Sequence, residues 1–224
     1  MERFGNFSSS SIWKLTTLST DKKSFGKPAL TYIKEKKYEK LLGRSLQKDA
    51  KSKSLLWGRL CESFVFGKLD LMYKLESKIR YQHKEITNWN GMPDTLRNDV
   101  VGDIKCPFTL LSFIDLVEAC TIGYEEFKKQ SPEYFWQLIS NAILTDSKKI
   151  ELIVFCPYLE DLEQIRNLAS DDLDYNFLNY TDNEELPYLI KGNHFKDLNV
   201  FEFDIEQTDI DFLTEKVKKA VKML

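Results

Sequence analysis

Between Asn88 and Pro107 the chain reads NWNGMPDTLRNDVVGDIKCP, and three of its charged residues have the types and spacing of a hydrolytic centre. Residues 100–105 alternate as a strand, so Asp103 and Lys105 share one face and Ile104 points to the other. The preceding segment reads as a partner strand that ends in Pro93-Asp94 and a tight turn, which sets Asp94 on the neighbouring strand. Two carboxylates and one ammonium then converge at the edge of a small hairpin. Such a cluster is costly beside apolar strands unless a metal ion and a phosphate use it. The chemistry it suits is metal-dependent cleavage of nucleic acid.

An acidic residue two places before a lysine is a weak signal alone. It occurs seven times, starting at Asp21, Glu35, Asp49, Glu76, Asp103, Glu126 and Asp146. Only the triplet at Asp103 lies in a β-branched run just after a Pro-Asp pair. Two further polar residues strengthen it. Glu62 sits in a largely apolar helix near Leu60, Phe64 and Val65, where an ionised carboxylate needs a partner. It either pairs with Arg59 one turn earlier or points into the site as a third carboxylate. Gln137, in the apolar helix of Tyr134, Phe135 and Trp136, is either an ordinary buried amide or a contact to a base, a phosphate or a metal-bound water. The chain has two histidines, His83 and His194, which argues against a histidine-rich metal site. His83 reads as a structural or surface strand residue.

The elements that must position these residues are legible in outline. The serine run Ser8–Ser11 precedes a short helix that one serine caps. After a polar loop from Asp21, Pro28 opens a helix that runs to Leu42 and stops at Gly43. A polar linker spans Leu46 to Ser54. Ser54 then starts a long apolar helix reaching Leu75. Ile79 to Thr87 reads as a strand, followed by the hairpin. Residues 108–130 are mixed, with a helix near Ile114 to Ala119. Pro132 opens the helix of Gln137, and Ile150 to Cys156 is a strand ended by Pro157. Beyond lie a helix near Glu160 to Leu168, an irregular stretch to Gly192, a strand Leu198 to Asp204 and a helix Asp209 to Met223. This order predicts an α/β or α+β fold around a central mixed sheet flanked by helices.

The chain has 224 residues, 42% hydrophobic and 30% charged, the balance of a globular domain with a real core. No apolar run reaches the ~18 residues of a membrane span, and the start lacks a signal-peptide core, so a cytoplasmic protein is expected. The net charge of −3 hides an asymmetry: residues 1–60 carry 14 Lys/Arg against 5 Asp/Glu, and the rest carry 18 against 30. The basic quarter suits either a phosphate-facing surface or a solvated helix. The acidic last third is expected by default to solvate the surface. Cys61, Cys106, Cys120 and Cys156 lack CxxC spacing and read as buried free thiols, not zinc or iron–sulfur ligands.

Taken in order, GRLCE, GMPD, VVGDIKCP and YFWQL resemble the PD-(D/E)XK nuclease superfamily, and within it the lambda-exonuclease-like, YqaJ-type recombination nucleases of phages. FSSSSIWKL, PALTYIKEKKYEKLLGRSL and LLWGRLCE extend the resemblance over about residues 4–158; nothing from Leu159 onward matches. The resemblance implies a restriction-endonuclease-like αβββαβ core in one domain: basic N-terminal helices (1–53), a catalytic core (54–158) and an acidic extension (159–224). It implies Mg²⁺, or Mn²⁺ in its place, as one or two ions held by Asp94, Asp103, Glu62 and the backbone carbonyl of Ile104. Lys105 would orient the attacking water or neutralise phosphate charge, and Gln137 matches the glutamine of the downstream helix. Ser9 and Ser10, with Lys14 and Arg44, match positions that bind the 5′-phosphate of a DNA end; a plain helix cap remains the other reading of either serine. Two departures stand out. Asp103 occupies a place where glutamate is common, and Asn141 stands where some relatives have tyrosine.

The implied activity is digestion of linear duplex DNA from its ends, 5′ to 3′, in phage-type recombination within a bacterial host. A homo-oligomer such as a trimer and a single-strand annealing partner are implied with it. Two other functions fit the same residues: a structure- or site-specific endonuclease on the same fold, and a non-catalytic DNA-binding or assembly protein.

Overall fold

Fifteen regular elements, in a computed structural model that describes residues 4–46, 52–69, 73–75, 79–169 and 172–224, carry the site. In chain order they are β1 (Phe7–Ser8), α1 (Lys27–Leu42), α2 (Lys53–Phe66), β2 (Lys74–Leu75), β3 (Tyr81–Gln82), β4 (Trp89–Gly91), β5 (Thr95–Arg97), β6 (Val100–Lys105), α3 (Leu110–Ile122), α4 (Tyr124–Gln130), α5 (Pro132–Thr145), β7 (Lys149–Phe155), α6 (Leu162–Leu168), β8 (Leu198–Asp204) and α7 (Gln207–Val221). Short 3₁₀ helices, chief among them Ser9–Thr16, fill some of the connections.

The strands form two sheets. Five are ordered β2-β5-β6-β7-β8, and only the β6–β7 pair is parallel. The other three are ordered β1-β4-β3, with β1 parallel to β4. This is a mixed α/β fold with mixed sheets flanked by helices. Alternation along β6 and β7 divides the core. Val101, Ile150, Leu152 and Val154 face a cluster built with α1, α3, α5 and α7. Ile104, Ile153 and Phe155 face a second cluster built with α2, α6 and residues 175–188.

The structure corrects the expected hairpin. The strand before Pro93 is β4, and it belongs to the small sheet. The partner of β6 is β5, which starts after Asp94. Proline lacks a backbone donor, so the ladder breaks there and the chain changes sheets. The β5–β6 turn is the pair Asn98-Asp99, with Asn98 at φ 51, a left-handed conformation asparagine tolerates. Gly102 lies opposite Thr95, where a Cβ would stand 2.1 Å from Thr95 Oγ1.

Other boundaries shift for local reasons. α1 ends at Gly43, whose φ of 62 suits the left-handed cap. α2 is capped by the Ser52 hydroxyl, which accepts from the Leu55 N–H, rather than started by Ser54, and it stops at Gly67. Of the rest of the expected long helix, 70–72 lie outside the described residues and Lys74–Leu75 form β2; 76–78 and 47–51 of the linker, with the triplets at Asp49 and Glu76, also lie outside them. The run Ile79 to Thr87 yields only the two-residue β3. The acidic last third is part of the core: β8 pairs with β7 along its length, and α7 buries Leu213, Val217 and Ala220. Among the described residues no helix is long and apolar enough to cross a membrane.

Candidate active site

Asp94, Asp103 and Lys105 meet where β5 and β6 leave the sheet. Asp94 lies just before β5, its N–H donating to the Gly102 carbonyl at 3.1 Å. Its Oδ2 accepts the Ile104 N–H at 2.7 Å, which ties the carboxylate to the backbone of the opposite strand. Asp103 is only 1% exposed and forms an ion pair with Lys105. Ile104 points away into the α2 cluster, as the alternation predicted.

Gln137 is brought to this pair. From α5 its Nε2 donates to Asp103 Oδ1 at 2.8 Å, and its Oε1 accepts from Lys105 Nζ at 3.4 Å. It is neither an idle buried amide nor remote from the charges. Tyr134, one turn earlier on α5, places its ring 5.0 Å from Lys105 Nζ, a cation–π contact. Sequence reasoning counted Tyr134 only as an apolar residue; its i−3 spacing from Gln137 was the available signal.

Glu62 approaches from α2, on the other face of the sheet. Among the described residues it makes no ion pair with Arg59, whose influence on it is the weakest of those acting. Burial, and then the Asp103 carboxylate, push its pKa up to about 7, against the pull of Lys105 and Arg59. Burial, Asp103 and Glu62 likewise hold the Asp94 carboxyl well above the usual carboxylate range. Burial disfavours the Lys105 ammonium, yet Asp103 and Asp94 outweigh it and raise its pKa. Three carboxyls thus crowd one ammonium, an excess of negative charge that a cation would relieve.

That excess bears on whether a divalent ion fits. Mg²⁺ takes hard oxygen donors and keeps several waters, which suits Asp94, Asp103 and Glu62. Asp103 Oδ2 is buried, and Lys105 Nζ is its ion-pair partner. Among the described residues no three acidic, histidine or cysteine side chains stand together as a ready-made ligand set. The donor chemistry fits, with Asp103 shared between Lys105 and any ion.

A recess of about 260 Å³ opens beside the cluster, with Gln137 in its wall. Ser8, Ser10, Lys36, Arg80 and Asn90 line it. The N-terminal serines are held by a buried chain of hydrogen bonds: Trp89 Nε1 donates to Ser140 Oγ at 2.8 Å, and the Ser140 and Ser9 hydroxyls lie 2.8 Å apart. Gly91 permits this closeness, since a Cβ there would stand 2.1 Å from Ser9 Oγ. Arg80 donates to Asn90 Oδ1 at 3.3 Å, while Asn90 Nδ2 is buried without a partner. Lys36 is braced by Glu39 at 2.9 Å; although burial opposes it, Lys36 and the Gly5 N–H hold the Glu39 carboxyl below its usual range.

The serine cap expected for the first helix is not made. Ser8 precedes the 3₁₀ helix without a side-chain cap, and its hydroxyl lies 3.3 Å from that of Ser10. Ser9 and Ser10 both line the recess, with Ser9 2% exposed and its hydroxyl paired with that of Ser140. Lys14 lies over the Tyr32 ring in a separate hollow with Trp13 and Lys27, and neither it nor Arg44 lines the recess. The basic residues that line the recess are Lys36 and Arg80. The sequence offered little to find Arg80, an isolated arginine, and Lys36 was one lysine among several on its helix. Asn141, one turn after Gln137, is fully buried against Gly91 and faces the small sheet.

The remaining candidates are structural. His83 Nδ1 accepts the N–H groups of Glu85 and Ile86, and its ring stacks on Trp89 at 5.1 Å. The four cysteines are free thiols; Cys61, Cys120 and Cys156 are buried and Cys106 is half-buried.

No family model and no curated protein sequence matches the chain. Solved structures do. An alkaline exonuclease from Laribacter hongkongensis, also solved in complex with dAMP, superposes with a TM-score of 0.65 at 13% identity, covering 98% of this chain and 88% of that one. A phage-related exonuclease from Haemophilus somnus 129PT gives 0.59 at 16% identity, covering 97% and 92%. At these identities the likeness establishes a shared fold.

Proposed function

From a fold shared with two exonucleases, we propose that this protein is a Mg²⁺-dependent deoxyribonuclease that digests linear duplex DNA from its ends, 5′ to 3′, in phage-type recombination. The observation that carries the reading is the convergence of Glu62, Asp94, Asp103, Lys105 and Gln137 beside a basic recess. Asp94, Asp103, Glu62 and the Ile104 carbonyl would hold the ion, with Mn²⁺ as an alternative. When bound, it supplies acidity to water and takes up charge on the phosphate.

The chain's own groups do the rest. Lys105 keeps a positive charge beside the carboxylates, placed to meet negative charge that grows on a phosphate in the transition state. Gln137 grips both Asp103 and Lys105, fixing their separation. The recess suits a terminal 5′-phosphate: Lys36 and Arg80 supply charge, Ser8 and Ser10 supply hydroxyls, and Asn90 Nδ2 is a buried donor lacking a partner. Gln137 belongs to both sites, so a phosphate in the recess would set the next linkages near the carboxylates. An assembly of several copies, such as a trimer, and a single-strand annealing partner complete the reading.

End-labelled linear duplex and covalently closed circle, each with and without Mg²⁺, test it. Linear DNA should be degraded only with Mg²⁺, the circle should survive, and Asp94→Ala should abolish cleavage while leaving the melting temperature close to the wild type. Nicking of the circle would favour an endonuclease. Ion binding without cleavage of any DNA would favour a non-catalytic protein.

A further inference from the structure

The hollow that holds Lys14 is built from the same two elements as the recess. The 3₁₀ helix Ser9–Thr16 places Ser9 and Ser10 in the recess, and Trp13 and Lys14 in the hollow. Helix α1 places Lys36 in the recess, and Lys27, Pro28, Thr31, Tyr32 and Glu35 in the hollow. Tyr32 joins the two. Its hydroxyl accepts the Ser8 N–H at 3.1 Å, and its ring lies 5.5 Å from Lys36 Nζ and 5.2 Å from Lys14 Nζ. The contacts therefore run in one order: carboxylates, Gln137, recess, Tyr32, hollow.

The hollow has a volume of about 320 Å³. Two aromatic rings form part of its wall: Trp13 is half-buried against the core, and Tyr32 is almost fully buried. Lys14 and Lys27 supply two positive charges against the one carboxylate of Glu35. Among the described residues neither lysine forms an ion pair, and Lys14 is held by the Tyr32 ring. Aromatic faces flanked by ammonium groups suit a base of a single DNA strand, because the rings take its flat face and the lysines its phosphates. An apolar protein segment would cover the rings and leave both ammonium groups unpaired.

The order of contacts also says which strand reaches the hollow. In the proposed reaction the digested strand ends in the recess, and its next linkages lie towards Gln137 and the carboxylates. The hollow lies on the other side of the recess, where the digested strand has no nucleotides left. Only the complementary strand continues there, as a 3′ overhang that lengthens with each cleavage. We infer that the hollow is a subsite for this 3′-terminated single strand, seating one base against Trp13 with Lys14 and Lys27 on the flanking phosphates. Along α1 the rise from Lys36 is ~6 Å to Tyr32 and ~14 Å to Lys27. About two to four nucleotides cover that span at ~3.4 Å each. The choice of strand rests on the proposed 5′ to 3′ digestion; binding in the hollow needs no metal ion. A partly digested end is then held by both strands and binds more tightly than a blunt one.

Fluorescence anisotropy of labelled duplexes in metal-free buffer reads this binding without cleavage. Each duplex carries a 5′-phosphate and is either blunt or extended by a 3′ overhang of up to about six nucleotides, enough to pass the hollow. The quantity compared is the ratio of affinities for overhung and blunt duplex. In the wild type it should rise to about tenfold by an overhang of about four nucleotides and then level off, the scale of one stacked base. A 5′ overhang of the same length should give no rise. Trp13→Ala should bring the ratio close to unity. Trp13 packs partly on the core, so Lys14→Glu with Lys27→Glu, which changes only charges of the hollow, is the companion variant and should also lose most of the rise. A wild-type ratio near unity, or variants that keep the wild-type ratio, would overturn the inference and leave the hollow to another occupant, such as a protein segment. An equal rise with a 5′ overhang would overturn the choice of strand. Mg²⁺-dependent digestion of linear duplex by a chain whose ratio is near unity would do the same to the subsite while leaving the nuclease reading intact.

Discussion

Glu62 shows how one residue's surroundings set its chemistry. It lies on an apolar helix, faces Asp103 and titrates near 7 in place of an ordinary 4.5. The folded chain thus keeps a proton that the unfolded chain has already lost, so stability falls as pH rises from about 4.5 to about 7. Glu62→Gln removes that titration. In metal-free protein the variant should match the wild type near pH 4 and exceed it near pH 8 by about 1–3 kcal/mol in urea unfolding. No gain near pH 8 would mean that neither burial nor the Asp103 carboxylate raises the Glu62 pKa. Arg80 makes a separate prediction. If it meets a terminal phosphate, Arg80→Ala should cut the preference for 5′-phosphorylated over 5′-hydroxyl ends by about tenfold or more, the scale of one charge-assisted hydrogen bond. An unchanged preference would remove Arg80 from that role.

At the scale of elements, the β5–β6 hairpin fixes the site, and its tolerance is tight. An alanine at 102 would push its Cβ into Thr95 Oγ1, inside a pair that is almost fully buried. Gly102→Ala should cost about 1–3 kcal/mol, and Thr95→Ala in the same chain should recover part of it, as a denaturation double-mutant cycle would show. The strand pattern made much of this legible. Period-two alternation put Asp103 and Lys105 on one face, and an apolar helix with a single glutamate put Glu62 at a boundary. Alternation does not say which sheet a strand joins. Trp89–Gly91 pairs with the nearby Tyr81–Gln82 and with Phe7–Ser8, which lie far back along the chain, and only the missing N–H of Pro93 hinted at the change. The recess was harder still to foresee, because its walls come from elements spread across the chain. Arg80 and Asn90 carry no local pattern, and Lys14 and Arg44, offered by the resemblance, do not line the recess.

For the whole molecule, charge misled where burial decides. The last third is acidic, a composition read as solvating the surface, yet the strand and helix expected within it also build the core. Leu213 on α7 is fully buried with Val217 against the α5 side of the sheet. Leu213→Ala should therefore cost about 2–5 kcal/mol, as a core truncation does, measured by thermal or urea unfolding. A change within about 0.5 kcal/mol would return α7 to the surface.

The hydroxyl contact between Ser9 and Ser140 spans 131 residues and closes one wall of the recess. Proteins emerge from the ribosome N-terminal end first, and contacts so distant in sequence form late. A nascent chain that has displayed Asp94, Asp103 and Lys105 still lacks Gln137 and Ser140, and without them neither the grip on Asp103 nor the serine wall exists. The charges are thus synthesised early, but the arrangement that holds them is among the last things to assemble.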